Sequence, residues 1–225
     1  MLILVLGKGK TGSLVAEMAR ERGHGVRTLD IDENRHASAL TAPSLAGVDV
    51  VVDFTAPEAA VENIRAVLAL GGHIVVGTTG WYGKVNEMKA LAIQRGGALL
   101  YGTNFSIGVQ KLFRLTASLA ELDGYNFSIE ETHHTTKLDA PSGTALTLKE
   151  IILAARPGIE IPVTSHRVGD AKGEHVVRAM SDHDTLELRH DAHSRRGFAL
   201  GAVRGAEWLA GKFGAWEFRE IFDQL

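Results

Sequence analysis

Short runs of aliphatic and β-branched residues alternate along the first half of the chain with longer stretches whose apolar positions recur every three or four residues. The runs Leu2–Leu6, Gly25–Leu29, Val48–Phe54, His73–Val76 and Ala98–Tyr101 predict strands. The intervening stretches Ser13–Arg22, Pro57–Leu70 and Lys84–Arg95 predict helices. Continuous apolar strands separated by helices of this length imply a parallel sheet covered on both faces. Thr55-Ala56-Pro57-Glu58 has the form of a capping box, with Thr55 as the cap of the following helix.

After Phe105 the rhythm changes. A helical stretch, Val109–Glu121, leads to a strand at Tyr125–Glu131, a polar segment, and a helix from Ser142 to Ala155. Alternating segments at Val163–Val168, His175–Met180 and Thr185–His190 read as strands of a mixed or antiparallel sheet. Ala202–Lys212 has helical spacing and is followed by a short apolar tail through Phe218 and Ile221-Phe222. The expected class is α/β, a Rossmann-type parallel-sheet domain plus a smaller α+β domain, with the boundary near Asn104. Pattern alone leaves open whether the last helix rejoins the first domain.

Composition narrows the chemistry. The 225 residues contain no cysteine, which excludes a disulfide framework, a thiolate metal site and a cysteine nucleophile. With 24 basic and 27 acidic residues interspersed, the net charge of −3 gives no footprint for nucleic acid. No apolar run approaches the roughly 18 residues that cross a bilayer, and the start of the chain lacks the marks of a signal peptide. A cytoplasmic protein is expected.

Gly7-Lys8-Gly9-Lys10-Thr11-Gly12 fits G-x-G-x-x-G between a predicted strand and a predicted helix. In that context Gly7 permits the turn, Gly9 lets backbone approach a pyrophosphate, and Gly12 lets helix and strand pack closely. Lys8 and Lys10 stand ready to reach a phosphate. Asp30, at the end of the second strand, is placed to bind the adenosine ribose hydroxyls and to repel a 2′-phosphate, which favours NADH over NADPH. Gly77-Thr78-Thr79-Gly80 and Gly102-Thr103-Asn104-Phe105 follow the fourth and fifth strands, where α/β sheets bind ligands. Either loop alone also reads as ordinary turn chemistry.

The most informative segment runs from Glu130 to Ala145. It places His133, His134 and Lys137 just before a helix start built from Pro141, Ser142, Gly143 and Thr144. A helix N-terminus beside a lysine suits a substrate bearing carboxylates, with a histidine near to give or take a proton. Adjacent histidines on a strand point to opposite faces, so His133 and His134 cannot easily share an ion. His183, His190 and His193 match no metal signature, and no metal is expected. A Ser-His-Asp hydrolase fails for want of a G-x-S-x-G elbow.

These residues resemble a known family, the 4-hydroxy-tetrahydrodipicolinate (dihydrodipicolinate) reductases of lysine and diaminopimelate synthesis. The resemblance spans nearly the whole chain and rests on E-x-H-H-x-x-K-x-D-A-P-S-G-T-A, reproduced by Glu131 through Ala145. Val52-Asp53-Phe54-Thr55, Gly77-Thr78-Thr79-Gly80, Asn104 through Gly108, Gly173-Glu174-His175 and Gly201-Ala202-Val203-Arg204 support it. The resemblance implies that His133 is a general acid or base and that Lys137 donates a proton and binds a carboxylate. It implies that His134, Gly143 and Thr144 hold the substrate's carboxylates and that the 77–79 and 102–105 loops contact NADH or NADPH. It further implies hydride transfer to a cyclic imine or enamine dicarboxylate, hinge closure and a homotetramer. The nucleotide domain would comprise 1–104 completed by 200–225, with 105–199 binding substrate. The chain departs from the common pattern in a glycine loop one residue shorter and a compressed stretch from Ile31 to Gly47. Other two-domain dehydrogenases, such as amino-acid dehydrogenases, and a non-catalytic dinucleotide-sensing module are the alternatives. A semialdehyde dehydrogenase of similar build would need the cysteine this chain lacks.

Overall fold

The computed structural model describes all 225 residues, Met1–Leu225, as two compact units. One comprises Met1–Ser106 together with Arg196–Leu225, and the other Ile107–Arg195.

The first unit holds strands β1 (Leu2–Leu6), β2 (Gly25–Leu29), β3 (Val50–Asp53), β4 (His73–Val76), β5 (Ala98–Tyr101) and β10 (Gly214–Glu217). They form one all-parallel sheet in the order β10-β5-β4-β3-β1-β2. Helices α1 (Lys10–Glu21), α2 (Ala42–Leu45), α3 (Pro57–Ala69), α4 (Val85–Arg95), α7 (Arg196–Leu209) and α8 (Phe218–Ile221) complete the unit. Both faces of the central strands are buried, which is why they read as unbroken apolar runs. Leu4, Leu6, Val51, Ile74 and Leu99 pack with Ile64 and Leu68 of α3 and Met88 of α4. The alternate residues Ile3, Val5, Val50, Val52 and Val75 are also fully buried, on the face that α1 and α7 cover.

Because the sheet is parallel, the loops after β1, β2, β3, β4 and β5 all emerge at one edge. A buried carboxylate ties several of them together. Asp53, fully buried at the end of β3, accepts from the Thr55 N–H and hydroxyl, the Thr78 hydroxyl and the Asn63 amide at 2.7–3.0 Å. Asn63 in turn accepts from Asn34 at 2.9 Å.

Several local expectations change. Thr55 is not a helix cap: its hydroxyl donates to Asp53, and α3 starts after Ala56 without a side-chain cap. Helix α1 starts at Lys10, three residues earlier than its apolar spacing implies, and α7 starts at Arg196 rather than Ala202. The segment read as an apolar tail contains β10, an edge strand paired with β5, and Trp216 on it packs edge-on against Trp208 of α7.

The second unit holds α5 (Ile107–Leu119), β6 (Asn126–His133), α6 (Gly143–Ala155), β7 (Val163–Arg167), β8 (Glu174–Met180) and β9 (Thr185–Asp191). Its sheet has the order β7-β6-β8-β9, with β6–β7 parallel and β6–β8 and β8–β9 antiparallel. Strand β6 alternates strictly, with Phe127, Ile129, Glu131 and His133 buried. Phe127 and Ile129 join Val177 and Ala179 of β8, Leu112 and Phe113 of α5, and Leu148 and Ile152 of α6 in one core. The same inward face therefore passes from apolar to ionisable within two residues, and the register sets Glu131 directly opposite His175.

Asp53→Ala is expected to lower stability by about 3 kcal/mol, since it strands the buried Asn63 amide and Thr78 hydroxyl and the part-buried Thr55 hydroxyl. Denaturant unfolding measures this; a loss below about 1 kcal/mol would show that the loop edge does not depend on Asp53.

Candidate active site

In the first unit the glycine loop lies between β1 and α1 as its spacing predicts. A Cβ on Gly12 would sit 2.0 Å from the Gly7 carbonyl oxygen, so only glycine allows this approach of helix to strand. A Cβ on Gly9 would meet nothing within 4 Å, and Gly9 begins α1 with no side chain capping the first turn. Backbone N–H groups and a helix N-terminus beside open space fit the pyrophosphate of a dinucleotide. Asp30 follows β2 and its carboxylate accepts from the Ile31 N–H at 2.9 Å. Glu33, which the spacing did not single out, accepts from Lys8 Nζ at 2.6 Å and from the Asp30 N–H at 2.8 Å.

Gly77–Thr79 follow β4 and Gly102–Phe105 follow β5, at the same sheet edge as the glycine loop. The Thr78 hydroxyl is engaged with Asp53, and the buried Phe105 ring packs on Phe218 with centroids 4.4 Å apart. Asn104 accepts from the Ser106 N–H at 2.8 Å.

In the second unit Glu131 is the centre of a buried polar set. Its carboxylate accepts the Ser142 N–H at 3.0 and 3.1 Å and the Ser165 hydroxyl at 2.8 Å, and Arg167 stands 3.4 Å away. Ser142 caps α6, its hydroxyl accepting from the Ala145 N–H at 3.2 Å. Ser142, part of the helix start that the sequence offers to a carboxylate substrate, is buried, with its N–H on Glu131 and its hydroxyl on the first turn of α6. Gly143, one residue on, faces open space. Arg167 also bonds the Lys137 and Asp139 carbonyls at 3.3 and 2.5 Å, fixing the loop that carries Lys137. Lys137 Nζ itself rests on the Asp139 carboxylate at 2.7 and 2.8 Å. His134, just past the end of β6, bonds the Thr136 hydroxyl at 2.7 Å.

His133 Nε2 lies 3.4 Å from Glu131 Oε2 and 3.4 Å from His175 Nε2, and His175 Nε2 lies 3.2 Å from the Ser142 hydroxyl. Sequence spacing could not bring His175 here, because strand pairing does; its Gly-Glu-His motif was the available signal.

The comparisons with known proteins decide between dehydrogenase families. A family model described as "Dihydrodipicolinate reductase, N-terminus" matches residues 1–105, and one described as "Dihydrodipicolinate reductase, C-terminus" matches 108–222. The chain belongs to the dihydrodipicolinate reductase family. It is 36% identical to the 4-hydroxy-tetrahydrodipicolinate reductase of Christiangramia forsetii, covering 100% of this chain and 99% of that one. It is also 36% identical to the enzyme of the same name from Natronomonas pharaonis, over 96% and 97% of the two chains. In fold it is similar to a dipicolinate-bound dihydrodipicolinate reductase from Paenisporosarcina sp. TG-14, with a TM-score of 0.83, 22% identity and coverage of 100% and 99%. As a reductase of this family the chain is an oxidoreductase that takes a nicotinamide dinucleotide, and none of its helices is long and apolar enough to cross a membrane.

The electrostatics of this polar set follow from its burial. Burial acts to raise the Glu131 carboxyl, but bonds from Ser142 and Ser165 outweigh it and hold the group below the usual carboxylate range. Burial lowers His133; Glu131 opposes this, while Lys137 and Arg167 add to it. Burial, with His133 beside it, pushes His175 down to about 4. Glu131, His133 and His175 offer three ligand atoms within 4.8 Å of one another, a spacing that could hold a metal ion. The Arg167 guanidinium and the field of Lys137 oppose a further cation there, and Glu131 already accepts several bonds.

A neutral buried histidine makes stability depend on pH. Between its ordinary 6.5 and about 4, the unfolded chain binds a proton at His175 that the folded chain does not. Stability therefore falls as pH falls through that window, by about 3 kcal/mol from this group. Unfolding free energies of wild type and His175→Gln across pH 4–7 check this: the variant's profile should be shallower, and an unchanged slope contradicts it.

Proposed function

We propose that this chain reduces 4-hydroxy-tetrahydrodipicolinate, through its dehydrated form, to tetrahydrodipicolinate, as a cytoplasmic homotetramer, and that NADH serves it at least as well as NADPH. The observation that carries the reading is that a single carboxylate, Glu131, bonds the start of α6 and pairs with Arg167, the residue that holds the Lys137 loop. Two cationic features for anions are thereby fixed to one strand end.

On this reading Gly7, Lys8, Gly9, Lys10, Thr11 and Gly12 surround the pyrophosphate and Asp30 takes the adenosine ribose. Gly77, Thr78, Thr79, Gly102, Thr103, Asn104 and Phe105 border the nicotinamide, Thr78 and Phe105 through backbone because their side chains serve the fold. Bound there, the dinucleotide supplies the hydride. Glu33 supports the preference for NADH: it occupies Lys8 and adds a second carboxylate beside Asp30, where a 2′-phosphate would bring further negative charge.

His134, Gly143 and Thr144 hold the substrate carboxylates with the positive end of α6. Lys137 leaves Asp139 for a substrate carboxylate and donates a proton, and His133 acts as general acid. Exposed Met180 and Leu186, on β8 and β9, are in keeping with assembly through this sheet.

A coupled assay tests the whole reading. Pyruvate and aspartate semialdehyde are condensed by the preceding synthase, and oxidation of NADH or NADPH is followed on adding this protein. Turnover is expected with both, with kcat/KM for NADH equal or higher. Lys137→Ala should lower kcat by about a hundredfold or more. No oxidation of either cofactor refutes the reading, and an unchanged kcat removes Lys137 from the chemistry.

A further inference from the structure

The inner edge of the His133 ring is held by protein groups, and its outer edge is shaped by a glycine. Nε2 faces Glu131 Oε2 and His175 Nε2, each at 3.4 Å. At the Nδ1 edge the neighbour is Gly173, whose φ of +136° is one that side chains rarely adopt. A Cβ on Gly173 would stand 3.1 Å from His133 Cε1 and 3.3 Å from Nδ1, so any side chain would press on that edge. Glycine at 173 thus keeps Nδ1 clear.

We infer that His175 is a positioning residue for His133: with Glu131 it holds the Nε2 edge of the ring, so that Nδ1, on the Gly173 side, is the nitrogen that exchanges the proton with substrate. The inference rests on the reductase reading of the site and goes beyond it in naming the nitrogen and the residue that selects it.

His175 is only 4% exposed, so it acts through its neighbours rather than on a ligand. Its Nδ1 is buried without a partner, whereas its Nε2 has the Ser142 hydroxyl at 3.2 Å and Glu131 Oε2 at 3.7 Å. The one proton of the neutral ring therefore sits on Nε2, where acceptors are. Ser142 is bonded from the other side by the start of α6, so His175 closes a set that joins β6, β8 and the helix. The Glu131 carboxylate favours a donor from His133, which assigns the retained proton of that ring to Nε2 as well. Both N–H groups then face Glu131 Oε2, at 3.4 and 3.7 Å, and His175 holds the His133 ring by edge-on packing, with centroids 5.1 Å apart, rather than by a hydrogen bond between the two nitrogens. The long Glu131–His133 separation is of the kind that tightens when substrate binds.

The charged and titratable groups around the pair come from every neighbouring element. They are Glu131 on β6, Arg167 on β7, His190 on β9, and Lys137 and Asp139 on the loop after β6. Lys137 and Arg167 disfavour a charge on His133, while Glu131 and Asp139 favour one. A neutral His175 adds no second positive charge. In the step itself His133 starts as the imidazolium. Its Nδ1–H bond breaks, the proton joins the substrate atom that gains the electron pair on hydride addition, and the ring is left neutral with its Nε2–H toward Glu131.

Nitrogen-15 NMR of the intact, histidine-labelled protein reads the inference without turnover. The neutral His133 ring is expected to carry its proton on Nε2; a proton on Nδ1 overturns the inference, whether or not the coupled assay shows activity. In the active enzyme, His175→Ala should lower kcat by about tenfold or more with KM changed by less than about threefold, and displace the His133 ionisation in the kcat/KM profile. His175→Gln, which keeps a polar group near Nε2, should restore part of the rate. A folded His175→Ala enzyme with wild-type kcat and an undisplaced profile overturns the inference. If that variant does not fold, the NMR assignment and the Gln variant decide, a wild-type rate and profile in the latter counting against it.

Discussion

The second unit depends on a buried carboxylate placed where a strand face turns from apolar to polar. Taking Glu131 out of water is unfavourable by several kcal/mol unless bonded partners compensate, and the chain supplies three of them, from the start of α6 and from β7. The backbone N–H of Ser142 starts α6, the Ser165 hydroxyl comes from β7, and Arg167 reaches from the same strand to the Lys137 loop. Satisfying one charge therefore fixes a helix start, a lysine-bearing loop and a histidine. What looks like a requirement of folding would also preorganise the dicarboxylate site proposed for this unit.

Asp53 plays the corresponding part in the first unit. It is fully buried and gathers Thr55, Thr78 and Asn63, so that the loops beyond β3 and β4 and helix α3 share one anchor. The glycine loop needs no such anchor because Gly7 and Gly12 fix it by close backbone approach. Each unit thus uses an internal anion to shape a surface that, on the proposed reading, takes an external one: backbone N–H groups and Lys10 for a pyrophosphate, the α6 N-terminus and Lys137 for carboxylates.

Much of this was legible in the chain. Strands buried on both faces announce themselves as apolar runs, and the glycine loop stands in the one context that gives G-x-G-x-x-G meaning. The Glu131–Ala145 segment carries its chemistry locally, so the motif identified the family before any contact was seen. What was not legible depends on pairing at a distance. His175 meets Glu131 only through the antiparallel register of β6 and β8. Glu33 meets Lys8 across the ends of two elements. Strand β10 has only Ala215 and Trp216 as apolar residues, too few for a pattern, and exists because β5 offers it an edge. Thr55 was misread as a cap because a nearby buried carboxylate competes for its hydroxyl more strongly than a helix end does.

The central claim is that Glu131, which touches no substrate in this account, organises the groups that do. The most direct measurement is kcat/KM of Glu131→Gln against wild type, with folding checked by circular dichroism. The account predicts a loss of about a hundredfold or more in a folded protein, because His133, the α6 start and the Lys137 loop lose their common anchor together. A folded Glu131→Gln enzyme within about threefold of wild type would contradict it.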